Sequence, residues 1–293
     1  MIGGLVLVAV PLGAMSDRVL VTIVGALALW VVGTADDRRP IGPQWRVLAE
    51  VSVAVSLWIS GAGFAVVGSG PVDFGITVLW VIAIVNAFNL MDNLDGASSS
   101  VAVASAAGVG TLALLTGQVA LAALAFALAG ACAGFLPHNL AGPARIFLGD
   151  GGSMPVGLLI AAGAMAVTQH AAGPAGILGA VLLAGLPILD TTLVVISRTR
   201  RGISVLTGGR DHLSHRLLSR LGTPRRVALA LAGSQSVLCA AAVISAGQGP
   251  GVLAVVTGVC IALGLSVLWI LEATFEDDAA RPSRPLAYDA NSA

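Results

Sequence analysis

The chain has 293 residues, of which 57% are hydrophobic and only 10% charged, with a mean hydropathy of +0.95. A soluble domain carries roughly 25% charged residues, so this chain cannot cover a water-facing surface, which excludes both a soluble globular enzyme and a disordered chain. Its formal net charge of zero excludes a nucleic-acid partner, because phosphate binding needs a basic surface.

A helix that spans a bilayer needs about 20 mostly apolar residues. Stretches of that kind recur near 2–16, 19–35, 46–61, 74–91, 97–115, 118–137, 153–169, 174–197, 226–246 and 250–271. They predict an all-α polytopic membrane protein of about ten transmembrane helices. The first stretch lacks the basic flank of a secretory signal and is read as a span. The Gly and Ala content suits helices that pack closely in lipid. One transmembrane domain is expected over 1–271, followed by a polar, flexible tail over 272–293.

Every basic residue is an arginine. If the spans alternate, the loops 36–45, 92–96, 138–152 and 198–225 and the tail share one side. That side holds Arg38, Arg39, Arg46, Arg145, Arg198, Arg200, Arg201, Arg210, Arg216, Arg220, Arg225, Arg226, Arg281 and Arg284; Arg18 lies opposite. The arginine-rich side is therefore read as cytoplasmic, and chemistry is expected there. Cys132, Cys239 and Cys260 sit far apart in apolar runs, in no metal-ligand spacing, and read as buried packing thiols.

Four polar clusters fall at span boundaries on that side. Asp36 and Asp37 are adjacent carboxylates that repel, so at least one wants a cation or a proton; a solvated, arginine-flanked helix end is the plainer account. In the run NAFNLMDNLDG, Asn86, Asn89, Asn93 and Asp92 fall on one helical face, with Asp95 just beyond. Polar groups inside a span face a cavity or a partner, and helix capping explains only one of the acids. In NLAGPARIFLGDGGS, Gly149, Gly151 and Gly152 around Asp150 give a loop whose backbone can approach a phosphate or metal, and Ser153 can cap the next span. Arg210, Asp211, His212, Ser214, His215 and Arg216 suit diphosphate binding or acid–base work, or simply attraction to anionic head groups. Glu50 and Asp190 are intramembrane acids expected to have partners.

Hard carboxylates at Asp36, Asp37, Asp92, Asp95 and Asp150 favour Mg²⁺ or Mn²⁺ over zinc. Such a site at a bilayer surface suits phosphoryl chemistry between a lipid phosphate and a nucleotide.

The ordered motifs Asp36-Asp37, NAFNLMDNLDG, PARIFLGDGGS and the His212–His215 loop, with the PILD run ending at Asp190, resemble the polyprenyl-phosphate N-acetylhexosamine-1-phosphate transferases, which include the MraY and WecA types. The resemblance covers nearly the whole chain, from Gly3-Gly4 to about residue 270. It implies transfer of a sugar-1-phosphate, N-acetylglucosamine-1-phosphate above all, from a UDP-sugar to undecaprenyl or another polyprenyl phosphate, with UMP leaving, in the bacterial plasma membrane. It further implies that Asp36 or Asp37 deprotonates or orients the lipid phosphate and that Asp150, with Asp92, holds Mg²⁺. Asn86, Asn89, Asp92, Asp95 and Arg145 would bind or shape the nucleotide site, and Arg210, His212, His215 and Arg216 would grip phosphate or sugar. A homodimer is compatible with it.

The chain departs from the family pattern in three places. A first span and basic loop usually precede the Gly-Gly, so ten spans stand where eleven are expected. Ser214 replaces a histidine of the WecA-like loop, which lacks the three consecutive histidines of the MraY type. Asn93 and Ala97 vary the DGxDGLA ending. A lipid-linked-sugar transporter would place ionisable residues near mid-bilayer in several spans, where only Asp190 comes close; an inactive scaffold relative would not need the intact acidic motifs.

Overall fold

The computed structural model describes residues 16–169, 175–205 and 209–279. These form α1 (Asp17–Arg38), α2 (Pro43–Ile59), α3 (Gly70–Met91), α4 (Ala97–Leu115), α5 (Val119–Asn139), α6 (Gly149–Thr168), α7 (Ala175–Leu183), α8 (Gly185–Arg200), α9 (Leu213–Leu221), α10 (Pro224–Ala246) and α11 (Pro250–Ala279), with no strand among the described residues. Local signals open several of them. Ser16 accepts the Val19 N–H at the start of α1, and Thr223 accepts the Arg226 N–H ahead of Pro224 in α10.

Seven of these helices are long and apolar enough to cross a membrane, and a bent pair makes an eighth. Large apolar side chains such as Leu79, Leu229, Leu263 and Trp269 are more than 60% exposed on the outside of the bundle. An aqueous surface does not sustain that much apolar area, so the protein is an integral membrane protein. All but Ser16 of the stretch predicted at 2–16, Gly3-Gly4 included, lies outside the described residues, as do His170 and residues 280–293.

Helix α6 is the axis of the bundle and packs on α1, α3 and α4; α4 packs in turn on α5 and α10. Small residues permit the close approaches. A Cβ on Gly33 of α1 would stand 2.4 Å from the Asp150 carbonyl oxygen, so α1 can touch the start of α6 only where glycine stands.

Several boundaries differ from the sequence reading. The span predicted at 174–197 is α7 and α8, which meet at 83°. Ala184, Gly185 and Pro187 interrupt what reads as one apolar run. Gln235 of α10, fully buried, bridges the break: its Nε2 donates to the Leu182 and Leu183 carbonyls at 3.1 and 2.9 Å, and its Oε1 accepts the Leu186 N–H at 2.9 Å. Backbone groups freed within a bilayer need such internal partners. Helix α6 begins at Gly149 rather than at 153, and α11 continues to Ala279, into the predicted tail. Helix α2, with 17 residues, is shorter than the seven clear spans.

Candidate active site

The sequence-predicted clusters meet at one end of the bundle, while Arg18 lies at the other, bonded to Gln169. At the centre of the cluster stands Arg46, in the first turn of α2. Its Nη1 lies 3.1 Å from Asp36 Oδ2 and 2.9 Å from Asp150 Oδ2, and its Nη2 donates to Asn89 Oδ1 at 2.7 Å. Asn89 closes the ring by donating to Asp150 Oδ1 at 2.7 Å and to Ser153 Oγ at 2.9 Å. Four helices thus place two carboxylates, one amide and one guanidinium in mutual contact. The second Asp36 oxygen accepts the Ile41 N–H, which fixes the turn between α1 and α2.

The Gly-rich run around Asp150 does not form an open loop. It is the first turn of α6, and its N–H groups are already taken: Gly149 donates to Asp92 Oδ2 at 3.1 Å, Asp150 to Asp37 Oδ1 at 2.9 Å and Gly151 to Asp37 Oδ2 at 3.0 Å. The expectation that this backbone is open to a phosphate is therefore corrected. Ser153 lies inside the helix, where its hydroxyl serves Asn89, so it is not the cap. Gly149 has φ +61°, and a Cβ there would lie 2.8 Å from Asp37 Oδ2, so this position needs glycine both for its backbone and for the room.

Asp92 and Asp95 flank the turn after α3. Burial pushes the Asp92 carboxyl up to about 7, against the pull of the Gly149 N–H, and the charges of Asp150, Asp95 and Asp37 add to the rise. Burial also raises Asp95, which accepts from Asn139 Nδ2. Asn139 itself accepts the Gly96 N–H at 2.6 Å and so ties α5 to this turn. One helical turn further into the bundle, Asn86 donates to Glu50 Oε2 at 2.6 Å, which gives the buried Glu50 the partner expected of it.

The histidine loop reaches the same turn. Ser214 Oγ donates to Asn93 Oδ1, so two of the positions that depart from the family pattern touch each other. His215 is half-buried with the Asn93 backbone within bonding reach; burial, then the neighbouring His212 and Arg210, lower its pKa. His212 is buried, with Nδ1 2.9 Å from Asp190 Oδ2, while Asp190 Oδ1 accepts the Leu213 N–H at 2.6 Å and caps α9 from α8. Arg198 and Arg201 hold Asp211, whose carboxyl sits well below the usual range chiefly through the Arg198 hydrogen bond. Arg216 is enclosed: it donates to the Asp211 and Leu271 carbonyls and to Ser197 Oγ, and pairs with Glu272 at 2.8 Å. It braces α9 against α8 and α11 rather than facing outward. Arg145 and Arg210 are exposed at the edge of the cluster.

Asp36 and Asp150 are hard oxygen donors of the kind a divalent cation takes, and here they converge on one positive charge, that of Arg46. Among the described residues, no three His, Cys, Asp or Glu side chains gather closely enough to hold a metal. A cavity of about 320 Å³ lies at the opposite end, lined by Arg18, Thr22, Gln118, Leu124 and Gln169, away from these acids.

A bundle of apolar helices that collects carboxylates, amides, histidines and arginines at one end is a polytopic membrane protein with a polar site at its surface. The chain belongs to glycosyl transferase family 4, whose family model matches residues 19–168, and the resemblance read from the motifs is borne out. Over 238 residues it is 38% identical to a Streptomyces coelicolor protein named as a provisional glycosyltransferase, covering 80% of this chain and 54% of the relative. It is 31% identical over 282 residues to a decaprenyl-phosphate N-acetylglucosaminephosphotransferase of Mycolicibacterium smegmatis, covering 85% and 68%. It is 29% identical over 211 residues to a Bacillus subtilis protein whose name assigns it undecaprenyl-phosphate N-acetylglucosaminyl 1-phosphate transfer, covering 69% and 59%. The chain thus spans between about half and two-thirds of the length of these relatives.

Reading the sequence for acids and histidines misses Arg46, the residue on which the cluster turns. One signal was available: Arg46 and Glu50 are four residues apart, and so share a helical face, at the start of an apolar stretch.

Proposed function

We propose that this protein transfers a sugar-1-phosphate from a UDP-sugar, N-acetylglucosamine the leading candidate, to a polyprenyl phosphate, in the manner of the WecA type. A lipid phosphate oxygen attacks the phosphorus bonded to the sugar, the bridge to the second phosphorus breaks, and UMP leaves with the bridging oxygen. The supporting observation is the ring of Asp36, Arg46, Asn89 and Asp150 at one end of a membrane bundle, in a chain whose relatives carry names of this chemistry. The arginine-rich end faces the cytoplasm of a bacterial plasma membrane, where a nucleotide sugar is available.

In this reading Asp36 orients the lipid phosphate and takes its proton. Asp150, with Asp92, would hold Mg²⁺ or Mn²⁺, which when bound supplies charge neutralisation at the diphosphate. Arg46 adds fixed positive charge where the leaving group gains negative charge. Asn86, Asn89 and Asp95 shape the nucleotide side, Arg145 and Arg210 lie at its rim, and His212 and His215 contact phosphate or sugar. The absence of three consecutive histidines supports the WecA-like assignment over the MraY-like one.

The experiment is UMP release by the purified protein with polyprenyl phosphate, Mg²⁺ and a panel of UDP-sugars. Release that requires both lipid and one UDP-sugar supports the reading, and Asp36→Asn or Asp150→Asn should abolish it. Near-normal turnover in folded Asp150→Asn protein removes the ligand role.

A further inference from the structure

A helix cannot satisfy the N–H groups of its own first turn. Leu148, which precedes α6, offers no side-chain cap. The Asp150 and Gly151 N–H groups are nonetheless bonded, each to a different oxygen of Asp37, which belongs to α1 and is more than 110 residues away in sequence. A carboxylate placed there makes two charge-assisted hydrogen bonds and faces the positive end of the helix dipole. Its neighbour Asp36 is directed elsewhere, to the Ile41 N–H and to Arg46. Gly33, one turn before Asp37, lets α1 approach closely enough for the arrangement.

Asp150 is therefore held twice. Its backbone N–H is fixed by Asp37, and its side chain is shared between Arg46 and Asn89. We infer that Asp37 is a positioning residue, the cap that α1 supplies to α6, and that it acts on the reaction through the placement of Asp150 rather than by contact with substrate. The two adjacent aspartates divide their work: Asp36 serves the reacting groups, and Asp37 builds the helix end that presents Asp150. The consequence for turnover rests on the transfer reaction proposed above. The cap itself does not.

The test compares Asp37→Asn, Asp37→Ala and Asp36→Asn with the wild type in detergent, using two measurements. Amide hydrogen exchange across residues 149–152, without substrate, reads the cap directly. Asp37→Ala should raise exchange there by roughly tenfold or more, the scale of a lost charge-assisted bond. Asp37→Asn, which keeps one acceptor oxygen, should raise it less, and Asp36→Asn should leave it unchanged. Steady-state UMP release, with Mg²⁺ varied, reads the consequence. Asp37→Ala should lower kcat on the order of 10- to 100-fold and raise the Mg²⁺ needed for half-maximal rate, with Asn restoring part of both.

Unchanged exchange in the Asp37 variants overturns the proposal. So do Asn and Ala variants that are equally inactive at every Mg²⁺ concentration while their amides stay protected, since that pattern marks a group in direct contact with substrate. If Asp37→Ala does not elute as a single folded species, exchange in Asp37→Asn decides. A wild type that releases no UMP counts against the transfer reaction, and the exchange data still decide the cap.

Discussion

Replacing Gln235 by Leu removes a side chain on which a break in the membrane-embedded structure depends. Leucine keeps the apolar volume but leaves the Leu186 N–H without its acceptor and the Leu182 and Leu183 carbonyls without their shared donor. Hydrogen bonds between helices in membranes average about 0.6 kcal/mol, so three of them set a floor near 2 kcal/mol. That average describes side chains that find other partners. Backbone groups held at an 83° break cannot do so, and a buried orphan costs about 1–3 kcal/mol. With three groups orphaned, the expected loss is roughly 3–9 kcal/mol. On the scale of about 2–4 °C per kcal/mol for chains of somewhat smaller size, the midpoint for loss of the monodisperse species on heating should fall by about 6 °C or more. Ser236→Ala is the matched control, because Ser236 is exposed and bonds only one turn back, to the Ala232 carbonyl. A Gln235→Leu midpoint within a degree of both wild type and control would refute the claim that this side chain satisfies the break. Because α8 carries Asp190, which caps α9 and holds His212, UMP release should fall with stability.

Further outcomes follow from the same geometry. Arg46→Gln should lower UMP release by at least about 100-fold while the protein still folds, because Asp36 and Asp150 lose the charge they share; turnover within a few-fold of wild type would contradict its central place. Gly149→Ala should cost about 1–3 kcal/mol in thermal stability and lose most activity, since a positive φ and the Asp37 carboxylate both resist a Cβ; an unchanged melting midpoint would count against the close contact. Asp211 has a folded pKa below its unfolded value, so its pairing with Arg198 stabilises the loop above pH about 4 and is lost as the pH falls further. Thermal stability should drop on acidification below that point in the wild type. In Asp211→Asn it should already be lower at pH 7, by about 3 kcal/mol, and should change less with acid.

The acids at span ends were legible because a carboxylate beside an apolar stretch is conspicuous, and the helical spacing of Asn86, Asn89 and Asn93 marked one face. What the side chains do there was not legible. Asp37, Asp92 and Asp190 stand out in the sequence as acids at or inside spans, but that each also accepts an N–H at the start of another helix is invisible there, because no local pattern shows which helix end lacks a cap. The bend between α7 and α8 was hidden for a related reason: the run through Ala184 and Gly185 is continuously apolar, and the residue that permits the break, Gln235, lies some fifty positions later. Ser214 and Asn93 were each visible as departures from the family pattern, but only the fold shows that they meet.

In the proposed transfer, phosphate travels with the sugar. This is tested most directly by incubating the purified protein with polyprenyl phosphate and UDP-N-acetylglucosamine, then identifying both the nucleotide and the lipid product by mass spectrometry. The products should be UMP and a lipid heavier by one N-acetylhexosamine phosphate, in equal amounts, with neither formed by Asp150→Asn. UDP with a lipid heavier by the sugar alone would contradict the proposed transfer, as would unchanged lipid across the whole panel of UDP-sugars.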